Sequence, residues 1–402
     1  ISAQFELNNN FSKVTPNKLR LPAEKKKGGL LNVIEAMQLN DIALKEIFIG
    51  DDNNLYIGIR QNKFQNVKNS VNFTSQILNY AGIDQVDEVI VKNYSFGSEI
   101  ARDKINLKDS YQQPLERKKV LIKNKIYETD EEFPGVITNI FPSFKTFIAS
   151  RENFLNYGLM LNSVNTIYFQ ENTFIDTKFS ISLANNFDEL YLPPVDTYPN
   201  QVRSDVKEYY NSIGNKPFVE RLEINHLESF GNNYFLFRAG IFESMFAGLG
   251  FEYLTVNRFK NIAYGLELFE VKKRDYDQRF SFLDYETTTG HINFYHYLDG
   301  LDLTTHVSAG KYLAGDKGIT YDFSRRFKNG FKLGFFFSRT DVSKEQFGEG
   351  SFDKGIYLSI PIGSPLNEEN NSSFFWRPLT KDPAQKLGVN TRLFNIVDRY
   401  IY

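Results

Sequence analysis

The sequence contains no cysteine. Disulfides, iron–sulfur clusters, thiolate zinc sites, cysteine nucleophiles and a lipid-bearing cysteine are therefore excluded. Tryptophan occurs once and histidine four times. No run of about 18 apolar residues exists, so a transmembrane helix is ruled out. An excess of one charge sign is also missing. The 47 Lys and Arg face 49 Asp and Glu, for a net charge of −2, whereas a general nucleic-acid binder would be more basic. Ile1-Ser2-Ala3-Gln4-Phe5 offers neither a basic n-region nor an apolar h-region. No signal peptide is visible, and the chain reads as a mature form or as part of a longer protein.

Aromatic residues are what the chain has in excess: 38 Phe and 23 Tyr. Such enrichment favours strands, interfaces and membrane-surface girdles. With 402 residues, 41% apolar and 24% charged, the chain can form one large β domain or two ordinary domains, and disorder is not expected. A transmembrane β-barrel stays open, because it needs only segments of about ten residues with alternating polarity.

The composition shifts near residue 110. Gly28-Gly29 precedes Leu30, Leu31, Val33, Ile34 and Met37 at helical spacing. Residues 43–49 and 55–59 flank Asp51-Asp52-Asn53-Asn54 as a hairpin. Val67, Val71, Ile77, Leu78 and Ala81 predict a second helix stopped at Gly82, and residues 86–91 a further strand. The order α-β-β-α-β implies a small α+β layer domain. Lys25-Lys26-Lys27 ahead of it reads as a solvated linker. Residues 109–144, with Pro114, Pro134 and Pro142, are expected to be a connector with one or two strands.

Beyond residue 157 the helical period disappears. Phe174, Asp176, Lys178, Ser180 and Ser182 alternate with Ile175, Thr177, Phe179, Ile181 and Leu183. Phe331, Leu333, Phe335 and Phe337 likewise oppose Lys332, Gly334, Phe336 and Ser338. Similar segments recur to residues 373–379 and 389–396, and Asn329-Gly330 between two of them is a strong hairpin signal. The pattern predicts a mainly β fold, an antiparallel barrel or sandwich of about twelve strands. Two features favour a membrane barrel. Phe- and Leu-rich faces oppose faces carrying Arg, Lys, Asp and Ser, which a wet lumen tolerates and a sandwich core does not. The chain also closes on Arg399-Tyr400-Ile401-Tyr402, an aromatic finish of the kind outer-membrane barrels have.

Several blocks then occur in a recognisable order. They are Asn185-Asn186-Phe187-Asp188, the run from Val202 to Tyr209, the run from Phe242 to Gly250, and Lys273-Arg274-Asp275-Tyr276-Asp277-Gln278-Arg279-Phe280. Thr289-Gly290-His291, the run from Ala309 to Gly318, Phe347-Gly348-Glu349-Gly350-Ser351-Phe352-Asp353-Lys354-Gly355 and the run from Trp376 to Asp382 follow. Over more than half its length the chain resembles the YjbH/GfcD family of outer-membrane exopolysaccharide and capsule proteins. The resemblance implies a Gram-negative outer-membrane β-barrel serving polysaccharide export or surface handling. Partners would be the exopolysaccharide, outer-membrane lipid and periplasmic components of the export system, with no nucleic acid and no cofactor. Family members are typically longer, with a lipoprotein N-terminus and a further barrel-like half. Without the lipobox cysteine, a lipid anchor and second pore do not carry over. The implied layout is a terminal remnant at 1–22, a periplasmic α+β domain at 23–108, the connector at 109–144, and a barrel at 145–402.

Charges in and between the recognised blocks supply the candidate ligand contacts: Arg274, Arg279, Lys311, Asp316, Lys317, Arg339, Glu349, Asp353 and Lys354. In hydrocarbon they would be costly, so they belong in the lumen, turns or rims. Opposed signs across a lumen give a rigidifying lattice, the commoner case, or a polar track where cations meet acidic sugars and aromatic faces stack on pyranose rings. Glu349 and Asp353 could pair as glycosidase carboxylates, but carboxylates in glycine-rich turns are common. His291 lacks a nucleophile context, and His226, His291, His296 and His306 lack metal-ligand spacing. No enzyme and no metal site are expected. A barrel-housed polysaccharide-modifying enzyme, a plugged structural protein and a general porin are the competing classes.

Overall fold

The protein is described from a computed structural model, which covers residues 2–6, 20–22, 29–40, 42–61, 67–82, 88–107, 112–129, 132–148, 150–193, 198–214, 216–327, 331–348, 352–361, 371–376 and 381–398. The fold is mainly β. A short strand, β1 (Ser2–Glu6), comes first. An α+β unit follows, with α1 (Gly29–Leu39), β2 (Ile42–Gly50), β3 (Leu55–Gln61), α2 (Val67–Ala81), β4 (Glu88–Ser95), β5 (Ser98–Asn106), β6 (Gln112–Leu115) and β7 (Ile122–Glu128). Its sheet has the order β6-β5-β4-β3-β2-β7. Helix α2 buries Val67, Val71, Ile77, Leu78 and Ala81, a stripe at i, i+4, i+10, i+11 and i+14, and stops at Gly82 with φ +73°. The crossover through α2 makes β3–β4 the parallel pair of this sheet. Helix α1 ends where Asn40 donates from Nδ2 to the Ala36 carbonyl at 2.7 Å.

The segment expected to be a mere connector is more than that. Strands β6 and β7 complete the small sheet, and β8 (Gly135–Ile148) opens the large one. Its Gly135-Val136-Ile137 start, Pro142 and charged surroundings mask the alternation. Pairing with β9 along most of its length overrides that weak local signal.

The large sheet continues through β9 (Leu155–Gln170), β10 (Thr173–Asn185), β11 (Phe218–Phe230), β12 (Asn233–Ile241), β13 (Phe246–Asn257) and β14 (Ile262–Arg274). It then runs through β15 (Phe282–Leu298), β16 (Leu303–Lys311), β17 (Lys317–Arg326), β18 (Lys332–Thr340), β19 (Asp353–Pro361) and β20 (Asn371–Trp376). Each strand pairs antiparallel with its sequence neighbours from β8 to β20. Strand β1 pairs with both edges, Ala3 opposite Phe374 of β20 and Phe5 opposite Phe144 of β8. The Asn329-Gly330 turn lies outside the described residues; on either side of it Arg326 stands opposite Lys332.

The two faces of this sheet differ in polarity: large apolar side chains are exposed on one, and charged side chains are buried on the other. On one face Ile292 is 69% exposed, Leu249 60% and Phe335 50%. On the other, Arg238, Glu252 and Glu267 are each 4% exposed. Outward rings pair across strands, Phe323 with Phe335 and Tyr321 with Phe337, both at 5.1 Å. Among the described residues no helix is long and apolar enough to cross a membrane.

The stretch at 389–396, expected as a strand, is instead the short helix α4 (Leu393–Val397), and residues 381–398 add no strand to the sheet. Leu393, Phe394, Ile396 and Val397 fall at i, i+1, i+3 and i+4, which a helix gathers on one side and a strand would divide. All four are buried in one cluster with Leu254, Val256, Ala263 and Tyr295 of the large sheet. The aromatic terminus at 399–402 lies outside the described residues.

Short turns, at 171–172 and 231–232, mark one end of the large sheet, and long connections, at 186–217 and 341–352, the other. The α+β unit docks at the short-turn end. Its β4–β5 hairpin turns through Phe96 and Gly97, with φ +45° and +72°, the positive pair a two-residue hairpin demands. Phe96 stacks on Phe174 at 4.7 Å. Tyr234 donates to the Ile100 carbonyl, Ser98 Oγ to the Leu227 carbonyl at 3.1 Å, and Arg258 Nη2 to Asp103 at 2.8 Å. A Cβ on Gly97 would sit 2.3 Å from the Glu171 carbonyl carbon and oxygen. Gly97→Ala therefore combines a backbone clash with left-handed strain of about 1–3 kcal/mol. It is expected to undock the unit, read as faster proteolysis between residues 107 and 135. Unchanged protection would show that the hairpin does not hold the interface.

Candidate functional site

Two ends and an interior compose the candidate site. At the long-loop end the runs 202–209, 242–250 and 309–318 converge. Val202, Tyr209, Phe242, Met245, Phe246, Phe269, Val271, Leu313, Ala314 and Leu387 form one buried cluster there. Helix α3 (Val206–Asn211) lies within this cap. Asp382 Oδ1 accepts from the backbone N–H groups of Val202, Arg203 and Ser204 at 2.7, 2.8 and 2.9 Å. Arg203 Nη2 bonds Glu243 at 2.8 Å and the Lys386 carbonyl at 3.0 Å. Lys273 pairs with Asp205. Lys207 holds Glu152 at 2.7 Å. Burial raises the Glu152 carboxyl, but Lys207 and the Leu192 N–H outweigh that and bring it to about 2.

The interior is filled by residues 381–398, held by side chains of the wall. Arg238 Nη2 lies 2.9 Å from Glu252 and donates to the Thr391 carbonyl at 2.8 Å. Glu252 accepts from the Leu393 N–H at 2.8 Å. Arg392 pairs with Glu267, whose other oxygen lies 2.9 Å from His291 Nδ1. Lys386 Nζ reaches Ser308 Oγ at 2.5 Å. Phe394 stacks on Tyr295 at 3.7 Å, and Tyr295 on His306 at 4.2 Å. These charges bind the chain to itself, as a buried network does when its pairs compensate desolvation.

The residues read from sequence as a sugar track are not one track. Register parity turns four of them outward. Lys311 stands opposite Gly290 and Lys317, Arg339 opposite Ile319, and Lys354 opposite Phe337, all on the face of the exposed apolar residues at the long-loop rim. A shift of one residue changes the face, and without pairing partners the sequence leaves that parity open. Arg279 is an exposed turn residue. Arg274 is fully buried and donates to the carbonyls of Glu243, Ser244 and Arg279 at 2.9, 3.1 and 2.8 Å, so it organises loops. Asp353 points inward and is buried. Glu349 lies outside the described residues. The interior anchors Arg238, Glu252, Glu267, Lys386 and Arg392 were missed. A signal did exist for some of them: a carboxylate bracketed by outward apolar residues, as in Leu266-Glu267-Leu268.

Asp316 sits in the β16–β17 turn, where Oδ2 accepts from the Ala384 N–H at 2.8 Å. Burial pushes its carboxyl up to about 6 from 3.8. The folded state then holds its proton where the unfolded state has released it. Stability is fully present below about pH 4 and falls as pH rises through about 6, by about 3 kcal/mol in all. Asp316→Asn is expected to flatten that slope between pH 4 and 6 in chemical unfolding. An unchanged slope would remove Asp316 as its cause.

The geometry defines a class: a large antiparallel sheet, apolar outside and charged inside, filled by its own chain and carrying an α+β unit at one end. The sequence-family model described as "Exopolysaccharide biosynthesis protein YbjH" matches residues 2–399, and the chain belongs to that YjbH family, as the resemblance implied. The chain is also similar to the "Uncharacterized lipoprotein YjbH" of Escherichia coli (strain K12), 33% identical over 267 residues. That match takes in 64% of this chain and 38% of the relative's length. No solved structure matches.

Proposed function

We propose that the large sheet is an outer-membrane β-barrel of a Gram-negative envelope, closed through β1, and that it serves export or surface handling of an exopolysaccharide. The carrying observation is the reversed polarity: an outward band with Ile140, Leu249, Leu268, Ile292 and Phe335 against an interior with Arg238, Glu252 and Glu267. Water cannot explain the first and hydrocarbon suits it. The outward cations Lys311, Lys317, Arg339 and Lys354 then stand at the headgroup level beside anionic lipid. The short-turn end with its α+β unit faces the periplasm, following the short-turn habit of such barrels. Its edge strand β7, with Ile122 and Ile126 exposed, is the surface for an export component. The family's description supplies the polymer, and the relative's description as a lipoprotein favours the envelope. The role is read as non-catalytic.

A second reading, a plugged structural protein, is favoured by one observation: residues 381–398 occupy the bore. The two separate experimentally. Refolded protein is expected to insert into lipid vesicles and to migrate faster unboiled than boiled. A form that stays soluble without detergent sinks the membrane reading; a mutant cell lacking the chain that exports polymer normally sinks the export role and leaves the plugged one.

A further inference from the structure

At the short-turn end a cavity of about 590 Å³ opens between the β4–β5 hairpin, the inner wall of β8–β12 and the filling segment. Small-ligand sites run from about 300 to 1,000 Å³. One side of this cavity is aromatic. Tyr168 lies 5.7 Å from Phe174, which carries the Phe96 stack at 4.7 Å, so three rings form a continuous wall. Phe96 holds its place there at φ +45°, a conformation costly for a bulky residue. The other side is polar. Thr166 donates to Asp176 at 2.8 Å, and Arg238 lies 3.6 Å from Glu223 with its buried Nε donating to no group among the described residues. Side-chain amides join them from Asn225 on the wall and Asn390 on the filling segment.

Rings on one side and hydroxyl-matching amides and carboxylates on the other are what a saccharide requires. Its C–H faces lie on rings and its hydroxyls donate to carboxylates. The sign of charge refines the class. Glu132, Glu171, Asp176 and Glu223 line the cavity against Arg60 and Arg238. Lys45 answers Glu171 from outside the lining. Carboxylates still outnumber cations, so a polyanionic sugar meets like charge.

We infer that this cavity binds a short stretch of an uncharged or amine-bearing saccharide, entering from the side of the α+β unit, and that it discriminates against uronic acids. This reverses the acidic-sugar track expected from the basic residues, four of which face outward. The inference rests on the polysaccharide reading. Its test is kept apart from the barrel test, because binding in detergent needs no membrane.

The experiment is isothermal titration of the full chain, refolded in detergent, with three probes: cellotetraose, the tetramer of glucosamine and tetragalacturonate. The neutral or the amine-bearing tetramer should bind, with tetragalacturonate at least tenfold weaker. Asp176→Asn should weaken the glucosamine tetramer at least fivefold relative to cellotetraose. Tyr168→Ala, at a half-buried position, should weaken both at least tenfold while preserving the migration shift on heating. Tightest binding of tetragalacturonate, equal binding of all three, or no binding by folded protein each overturns the inference. Binding unaffected by either substitution places the saccharide elsewhere and overturns it as well. Failure of vesicle insertion with saccharide binding intact would count against the barrel alone.

Discussion

In the barrel proposed above, deleting residues 381–402 is expected to convert a chain that carries little or no ionic current into one that conducts steadily in a planar bilayer. The interior contacts that hold this segment run along its length, from Asp382 on the N–H groups of residues 202–204, through Lys386 on Ser308, to Arg392 on Glu267 and Phe394 on Tyr295. Once it is gone, the inward wall presents charged and hydroxyl groups that water can hydrate. A gentler variant, Leu393→Ala with Phe394→Ala, removes packing worth roughly 2–5 kcal/mol per site. It should give flickering rather than steady current. Migration that still shifts on heating would certify a folded sheet in both. A folded, truncated protein without current would sink the assignment of this segment as what fills the bore.

Arg238→Ala should be the most destabilising single change in the interior. The guanidinium serves Glu252, Glu223 and the Thr391 carbonyl at once, and Arg238, Glu223 and Glu252 are all buried. Its removal takes the shared cation from two buried carboxylates, leaving Arg221 to act on Glu223 and Arg392 on Glu252. Breaking a buried pair costs about 3–5 kcal/mol, whereas replacing both partners with apolar groups of similar volume can be close to neutral. Arg238→Met with Glu223→Gln and Glu252→Gln, which removes the opposed charges together, should therefore recover most of the loss. Urea unfolding in detergent, followed by circular dichroism, measures both. A loss under about 1 kcal/mol for Arg238→Ala would mean the pair behaves as an exposed one, and the interior would have to be wetter than the burial of these groups implies.

Alternation was legible wherever strands keep strict parity. Leu333 to Ser338 has its apolar and polar faces as the sequence pattern divides them, whereas in Phe174 to Ser182 the register shifts between Lys178 and Phe179 and Thr177 is buried with the polar face. The helices of the α+β unit were legible because Val67, Val71, Ile77 and Leu78 repeat at helical spacing over a long enough stretch. Two things escaped. Strand β8 hides among prolines and charges and exists because β9 and β1 pair with it. Helix α4 is too short for its period to be told from a strand's, and it forms where Leu254, Val256 and Tyr295 offer an apolar wall inside an otherwise charged interior.

The candidate site divides the same way. Residue types and block order carried the family, because chemistry along the chain needs no partner to be read. Which face Lys311 or Arg339 takes, and which carboxylate meets Arg238, depends on register between strands. Register is fixed by backbone pairing and by burial of one whole face. The sequence determined a mainly β chain with an α+β unit and an aromatic-rich outer face. Only the tertiary structure decided that residues 381–398 lie inside the sheet, because that contact joins residues such as Arg392 and Glu267, 125 positions apart, and no local pattern spans that distance.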